Sequence, residues 1–505
     1  MKVANPLKDI RLLTLCLAVF ALAACGKPDQ TTTESADEEA ANEAQASVKV
    51  PITTSSDEAR ALYMQGQSLL DNLHFVEANE VFTKAVEADP DFAMGQFMLA
   101  ATAQTAAQFF RAVRQAQYLA ANVTEGEQLY IDALVAGSKN DQASQLVALN
   151  KLLAMYPRDE RTHMQLANYY NGQQMFGEAV KHFGHATTIN SEFANAFNSL
   201  GYAHRSNDNL DGAKEAFARY VELIPDEANP YDSYAELLME MGEYDQSIEN
   251  YRKTLEIDPN FPSAYAGITI NQSLKGDAEA AQATAAEMLA VARNSAEKQG
   301  AIFRSVTSHL FANDVEAAIA ASEEMYAVAE ADDDHAAMGG IREYMGDIVA
   351  VSGDAAKAME YYESALSHRQ MADINEANKA QAGRTHLYKS AIAAMINEDM
   401  QIARSRAAEY YAAAEADGTA FERRRIHELA GYLAEGSEIA VNELSQASQL
   451  DPIVLYWFAV AQKDLGNKGQ AIDLATRAAN RNTLSPNLPF FRDEALQLLD
   501  ELGVN

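Results

Sequence analysis

Along residues 57–292, large apolar, small and aromatic side chains return in a fixed order that suits a pair of short helices. The first such stretch reads Leu62, Gly66, Leu69, Ala78, Phe82 and Ala85, and closes on Pro90. Within each half the positions fall three or four apart, the period of one helix face, and no stretch alternates as a half-buried strand would. Small residues let two antiparallel helices approach closely, and the aromatic fills the wedge against the following pair. Proline ends the second helix because it lacks a donor and holds the preceding residue extended.

The order recurs about every 34 residues. Strong copies are Leu166, Ala167, Tyr170, Ala179, Phe183 and Ala186; then Leu200, Gly201, His204, Ala213, Phe217, Tyr220 and Pro225; then Tyr231, Tyr234, Ala235, Leu238, Tyr251 and Pro259. Weaker copies pass through Ala100, Ala103, Ala112 and Ala116, through Ala133, Leu149, Leu152 and Pro157, and through Tyr265, Ile268, Ala281, Ala285 and Met288. This pattern resembles the tetratricopeptide repeat (TPR). The resemblance implies an all-α chain, a right-handed α-solenoid or superhelix of about twelve TPR-like helix hairpins. Each hairpin alone leaves an apolar face bare, so only stacking buries a continuous core. Residues 57–292 are read as the regular array and 293–488 as degenerate repeats, with 489–505 a C-terminal capping helix. In the back half the spacing loosens, and loops are expected at 329–338 and 366–385. A repeat-free helical domain over 293–505 is the alternative.

The chain opens differently. Lys2, Lys8 and Arg11 precede an uncharged run, Leu12 to Ala24. That run is too short for a bilayer core of about 30 Å, which takes about 20 helical residues. Leu22-Ala23-Ala24-Cys25 resembles the bacterial lipobox. The resemblance implies that 1–24 is a lipoprotein signal peptide and that Cys25 is the lipidation site, heading the mature chain. With Gly26 rather than Asp following, it further implies an outer-membrane protein facing the periplasm. Two or more acyl chains anchor stably where one does not. Residues 25–56 hold almost no large apolar side chains and are read as a disordered acidic tether.

Charge narrows the partners. With 39 basic against 73 acidic residues the formal charge is -34, which repels nucleic acid and anionic headgroups. The two cysteines, Cys16 and Cys25, lie outside the repeats, so no disulfide framework or cysteine metal site is expected there. No nucleotide loop, nucleophile elbow or zincin helix is present, and no cofactor is expected.

In tetratricopeptide arrays the first helix of each unit lines a concave groove, which residues two, five, nine and twelve face. The fourth unit places Arg161, Met164, Asn168 and Asn171 there, and the fifth Asn195, Asn198, Tyr202 and Arg205. Arg161, Asn168, Asn171, Asn195, Asn198, Tyr202 and Arg205 are the candidate partner-binding residues. Asparagine pairs with peptide backbone of any sequence, and arginine clamps a carboxylate. A polypeptide segment with an acidic end is the expected ligand. Asn229, Asp232 and Glu236 in the sixth unit lack the basic groups by which chaperone-binding relatives hold a C-terminal carboxylate.

Other candidates read as structural. His182 and His185 lie one turn apart on the second helix of their unit while His163 and His204 belong to different first helices, so the four do not converge as a metal site requires. Asp332-Asp333-Asp334-His335 is read as a solvated acidic loop, Arg423-Arg424-Arg425 as a turn of exposed helix, and Trp457 with the tyrosines as packing. The expected function is a non-enzymatic, lipid-anchored periplasmic scaffold or adaptor in cell-envelope assembly, binding proteins or peptide segments. The alternatives are an accessory subunit of a polysaccharide-export or secretion system, and an envelope enzyme with a site in 293–442. Perturbed titratable groups clustered there would favour the enzyme.

Overall fold

The structure, a computed structural model, describes residues 49–103, 106–139, 141–374, 376–449, 451–480 and 491–504. The signal peptide, Cys25 and most of the tether lie outside the described residues, as does the start of the capping segment. Among the described residues there are 25 α-helices, one 3-10 turn at Ala120–Asn122, and no strand.

The helices form twelve consecutive pairs and a cap. The first six pairs are α1 (Asp57–Asp71) with α2 (Phe75–Ala88), α3 (Ala93–Ala101) with α4 (Ala106–Leu119), α5 (Glu125–Ser138) with α6 (Gln142–Met155), α7 (Glu160–Gly172) with α8 (Phe176–Ile189), α9 (Ala194–Ser206) with α10 (Leu210–Leu223), and α11 (Ala228–Glu240) with α12 (Tyr244–Ile257). The next six are α13 (Pro262–Leu274) with α14 (Ala278–Val291), α15 (Ser295–Phe311) with α16 (Val315–Ala331), α17 (His335–Val351) with α18 (Ala355–Met371), α19 (Glu376–Ile396) with α20 (Met400–Asp417), α21 (Ala420–Tyr432) with α22 (Ser437–Leu444), and α23 (Pro452–Asp464) with α24 (Lys468–Ala479). Helix α25 (Arg492–Glu501) closes the array, burying Ala495, Leu498 and Leu499. Helices pack broadly only against near neighbours along the chain, and the core is a row of clusters along the array. This is a helical repeat solenoid.

The sequence order has the cause assigned to it. A Cβ on Gly66 would sit 2.5 Å from the ring of Phe82, and one on Gly201 would sit 2.6 Å from that of Phe217. Ala235 meets Tyr251 in the same way, both buried. Only small side chains allow this approach. Acidity has a local use too. Asp141, Asp159, Asp277, Asp314, Asp334, Asp354, Asp399 and Asp451 each cap a helix, their carboxylates accepting from first-turn amides.

Three expectations need correction. The loops expected at 329–338 and 366–385 are mostly helix, since α16 runs to Ala331, α17 starts at His335, α18 reaches Met371 and α19 starts at Glu376. The longer spacing is taken up by helices of 17 to 21 residues, because the extra turns carry buried groups such as Ala329, Met338 and Arg384. Helix pairs continue through the described residues of 293–505. The end of the expected tether is ordered: residues 49–56 form an extended strap docked on the first four pairs, with Val50 buried in their core. Trp457 is not core packing but sits at the surface, 36% exposed, beside Tyr432 and Tyr456.

Candidate functional site

The candidate groove residues lie on α7 and α9. Asn168 and Asn171 are exposed, while Asn195, Asn198 and Tyr202 are half-buried. The Tyr202 hydroxyl donates to Ser233 Oγ at 3.1 Å and towards Glu236 at 3.3 Å, and its ring stands edge-on to Phe217. Burial and the Glu236 carboxylate raise its pKa. Asn195 accepts from Ser199 at 3.4 Å. The Oδ1 of Asn198 is buried and has no hydrogen-bond partner among the described residues.

Both arginines are already engaged. Arg161 forks onto Asp71, at the end of α1, with bonds of 3.0 and 2.6 Å, and lies over the Phe193 ring. Arg205 pairs with Glu236 at 2.9 Å and with Glu240. Neither guanidinium waits for a carboxylate from outside, and the surroundings are acidic. Asp232, on the same face, is raised to about 6 by burial although Ser263 donates to it. An acidic end therefore suits this face less well than a neutral or basic segment.

The Arg161–Asp71 pair is one of three contacts that curl the array back on itself. The turn between α1 and α2 reaches the later units: Leu73 packs on the cluster around Ala194 and Phe217, and His74 Nε2 lies 3.2 Å from Glu227 at the start of α11. Nothing in a nearest-neighbour repeat pattern announces contacts spanning three to five units. The one sequence signal is Leu73 itself. It takes a left-handed conformation (φ 65°) at the turn position where Gly242, Gly276, Gly353 and Gly466 stand in other pairs.

The histidines gather only in part. His163 and His182 face each other, Nδ1 to Nδ1 at 3.1 Å, and His185 lies beside them. His163 Nε2 is 3.1 Å from the Pro157 carbonyl, so that nitrogen carries the proton and Nδ1 accepts from His182. Burial, with His163 and Lys181 nearby, pushes His182 down to about 4. His204 instead meets Asn209. No group of three or more metal-ligating side chains converges among the described residues.

The back half holds a cluster of buried charge that was not foreseen. Arg384 grips Glu422 at 2.7 and 3.3 Å, the Tyr388 hydroxyl donates to Glu428 at 2.8 Å, and Arg425 lies over the Tyr388 ring. Arg423 and Arg424 are exposed as expected, but Arg425 is not. Burial pushes Glu422 up, yet hydrogen bonds from Arg384 and Thr419 outweigh it and hold the carboxyl low; burial raises Glu428. These shifted groups lie in the stretch to which the enzyme alternative assigns its site, but they satisfy one another across α19 and α21, which makes a stitch between units.

Comparison with known proteins agrees with the fold. Residues 194–227, which are α9 and α10, match a family model described as tetratricopeptide repeat, and 235–268 match one described as TPR repeat. These two stretches of the solenoid are therefore tetratricopeptide repeats. Among solved structures, MamA is 25% identical over 33% of this chain and 91% of its own, with a TM-score of 0.31. YrrB, titled a TPR protein with an unusual peptide-binding site, is 18% identical over 42% and 92%, TM-score 0.28. PilW, titled a type IV pilus biogenesis factor, is 15% identical over 42% and 98%, TM-score 0.31. No curated protein matches the chain.

Proposed function

We propose that this chain is a non-catalytic scaffold that holds an extended polypeptide segment on the face formed by its first helices, chiefly α7, α9 and α11. The observation that carries it is the polar face made by the exposed Asn168 and Asn171 with the half-buried Asn195 and Tyr202. A row of amides and hydroxyls reads peptide backbone without demanding a sequence. The acids at Asp232, Glu236 and Glu240 favour a neutral or basic segment. Full-length protein carrying Asn168→Ala, Asn195→Ala and Asn198→Ala should capture at least tenfold less of its partners in crosslinked pull-downs. Capture unchanged by all three would end the reading.

The place of action follows from the first 25 residues. Cys25 is acylated and tethers the body to the outer membrane, facing the periplasm, where the scaffold serves cell-envelope assembly. Among the described residues no helix is long and apolar enough to cross a membrane, so on this reading the anchor is the lipid. Cys25→Ala should release the protein from the membrane fraction; retention there would point to another anchor.

A further inference from the structure

Four buried carboxylates line the inner start of the array. Asp89 precedes α3, Glu127 is in the first turn of α5, and Asp159 and Glu160 begin α7; their residues are between 0 and 8% exposed. In water each would be solvated, and buried together they repel one another unless donors meet them. Much of that donation comes from the strap. Lys49 Nζ bonds Glu160 at 2.6 Å, the Val50 amide bonds Asp159 at 2.9 Å, and the Thr53 amide and hydroxyl bond Glu127 at 2.7 and 2.6 Å. The Thr54 hydroxyl and the Ser55 amide, the latter at 3.2 Å, reach Asp89.

The register is set by geometry. Three extended residues cover about 10 Å, close to the distance between packed helices, so Val50 and Thr53 fall one unit apart. Three of the donors are backbone amides and read no sequence. Lysine and the hydroxyls do. The attachment is polar, with Val50 and Ile52 as its apolar part, and Glu160 Oε2 is buried without a partner. The site keeps acceptor capacity that the strap does not use.

We propose that this carboxylate row is a binding site for an extended, lysine- and threonine-bearing polypeptide segment, and that the chain's own residues 49–55 occupy it as a displaceable internal ligand. A partner segment of the same chemistry enters in trans as the strap leaves; an acidic segment is rejected by four like charges. This goes beyond the scaffold reading by adding a second site, and it rests on that reading for the array's role in holding polypeptide segments.

The test uses the full-length chain and an acetylated peptide of residues 49–56, with a control peptide carrying Glu in place of Lys49. The peptide should bind a strap-weakened chain, Val50→Asp with Thr53→Pro, at least tenfold more tightly than it binds the unaltered chain. Adding Glu127→Gln should abolish that gain, and the control should not bind. Equal binding to both chains, or none to a strap-weakened chain of native helicity, overturns the proposal. Should that variant fail to fold, amide exchange on the unaltered chain decides. The Val50 and Thr53 amides should exchange well before those of α3, α5 and α7, and faster with peptide present. Exchange only together with those helices would make the strap a fixed element and sink the idea. If capture still depends on Asn195 and Asn198 while the peptide never binds, the scaffold reading stands and this one falls.

Discussion

At the scale of single residues, Leu73 and Glu398 occupy one conformation for different reasons. Both are left-handed at the turn inside a pair, with φ of 65° and 59°, where a Cβ costs about 1 kcal/mol. Glu398 is exposed and gains nothing evident in return. Glu398→Gly should leave stability unchanged or raise it by about 0.5 kcal/mol, the relief being offset in part by unfolded-chain entropy. Leu73→Gly should instead lose about 1 kcal/mol, because the side chain is half-buried against the units of α9 to α12. Urea midpoints of the two variants moving the same way would mean the turn is not docked. Titration separates two other residues. His182 lies near 4 when folded against 6.5 free, so its contribution is complete above 6.5 and lost as pH falls towards 4. Asp232 lies near 6 against 3.8 free, so its contribution is complete below 3.8 and lost as pH rises to 6. His182→Phe, which keeps a ring among Tyr170, His163 and His185 and beside Lys181 and Glu178, should flatten the acid limb by on the order of 2 kcal/mol. Asp232→Asn should stabilise by about 1 kcal/mol at pH 7.5 and hardly at all at pH 4. A stability–pH curve unmoved by either change would refute the assignments.

At the scale of elements, the stitch across α19 and α21 is the place where helix pairs depend on charge. Glu422 caps its own helix with Thr419 and is gripped by Arg384. Removing Arg384 alone, as Arg384→Met, strands a buried carboxylate and should cost about 3 kcal/mol. The loss should appear as faster amide exchange confined to α19–α22. Exchange rising evenly over the array would show that the pair acts elsewhere. How legible was this from sequence? The hairpins were legible because Gly66 with Phe82, Gly201 with Phe217 and Ala235 with Tyr251 repeat one steric solution at fixed offsets. Arg384 and Glu422 were not, since charged residues on a helix have no period that marks burial. The strap was missed for a related reason. Its stretch has few apolar residues and reads as unable to fold alone, and it does not fold alone: it is held by carboxylates supplied 34 to 111 residues away. The candidate groove residues lie on α7 and α9, and the partners of Arg161 and Arg205 depend on how the array curls, which nearest-neighbour patterns do not encode.

At the scale of the molecule, stability in a solenoid is approximately a sum over units and their interfaces, so distant parts need not unfold together. Here the two ends are unequal. The first six units are tied by the strap and by the Asp71, Leu73 and His74 contacts, each crossing several units. Among the described residues the last units are held by their neighbours, by α25, and by Phe491, which packs on the cluster around Ile302 and Met338. The chain's single tryptophan, Trp457, sits on α23 in the twelfth pair, and so reports on the less supported end. Unfolding in urea followed by Trp457 fluorescence should therefore fall at a lower midpoint than unfolding followed by far-ultraviolet circular dichroism, which counts every helix. Breaking the curl with Arg161→Ala and Leu73→Gly should move the dichroism midpoint towards the fluorescence one while leaving the latter in place. The separation arises because coupling through nearest neighbours decays along the array, whereas a closed loop of contacts makes its members fail together. Coincident transitions by both probes, unaltered by the double variant, would mean that all twelve pairs behave as one cooperative body, and that the curl adds nothing to the cohesion of the first six.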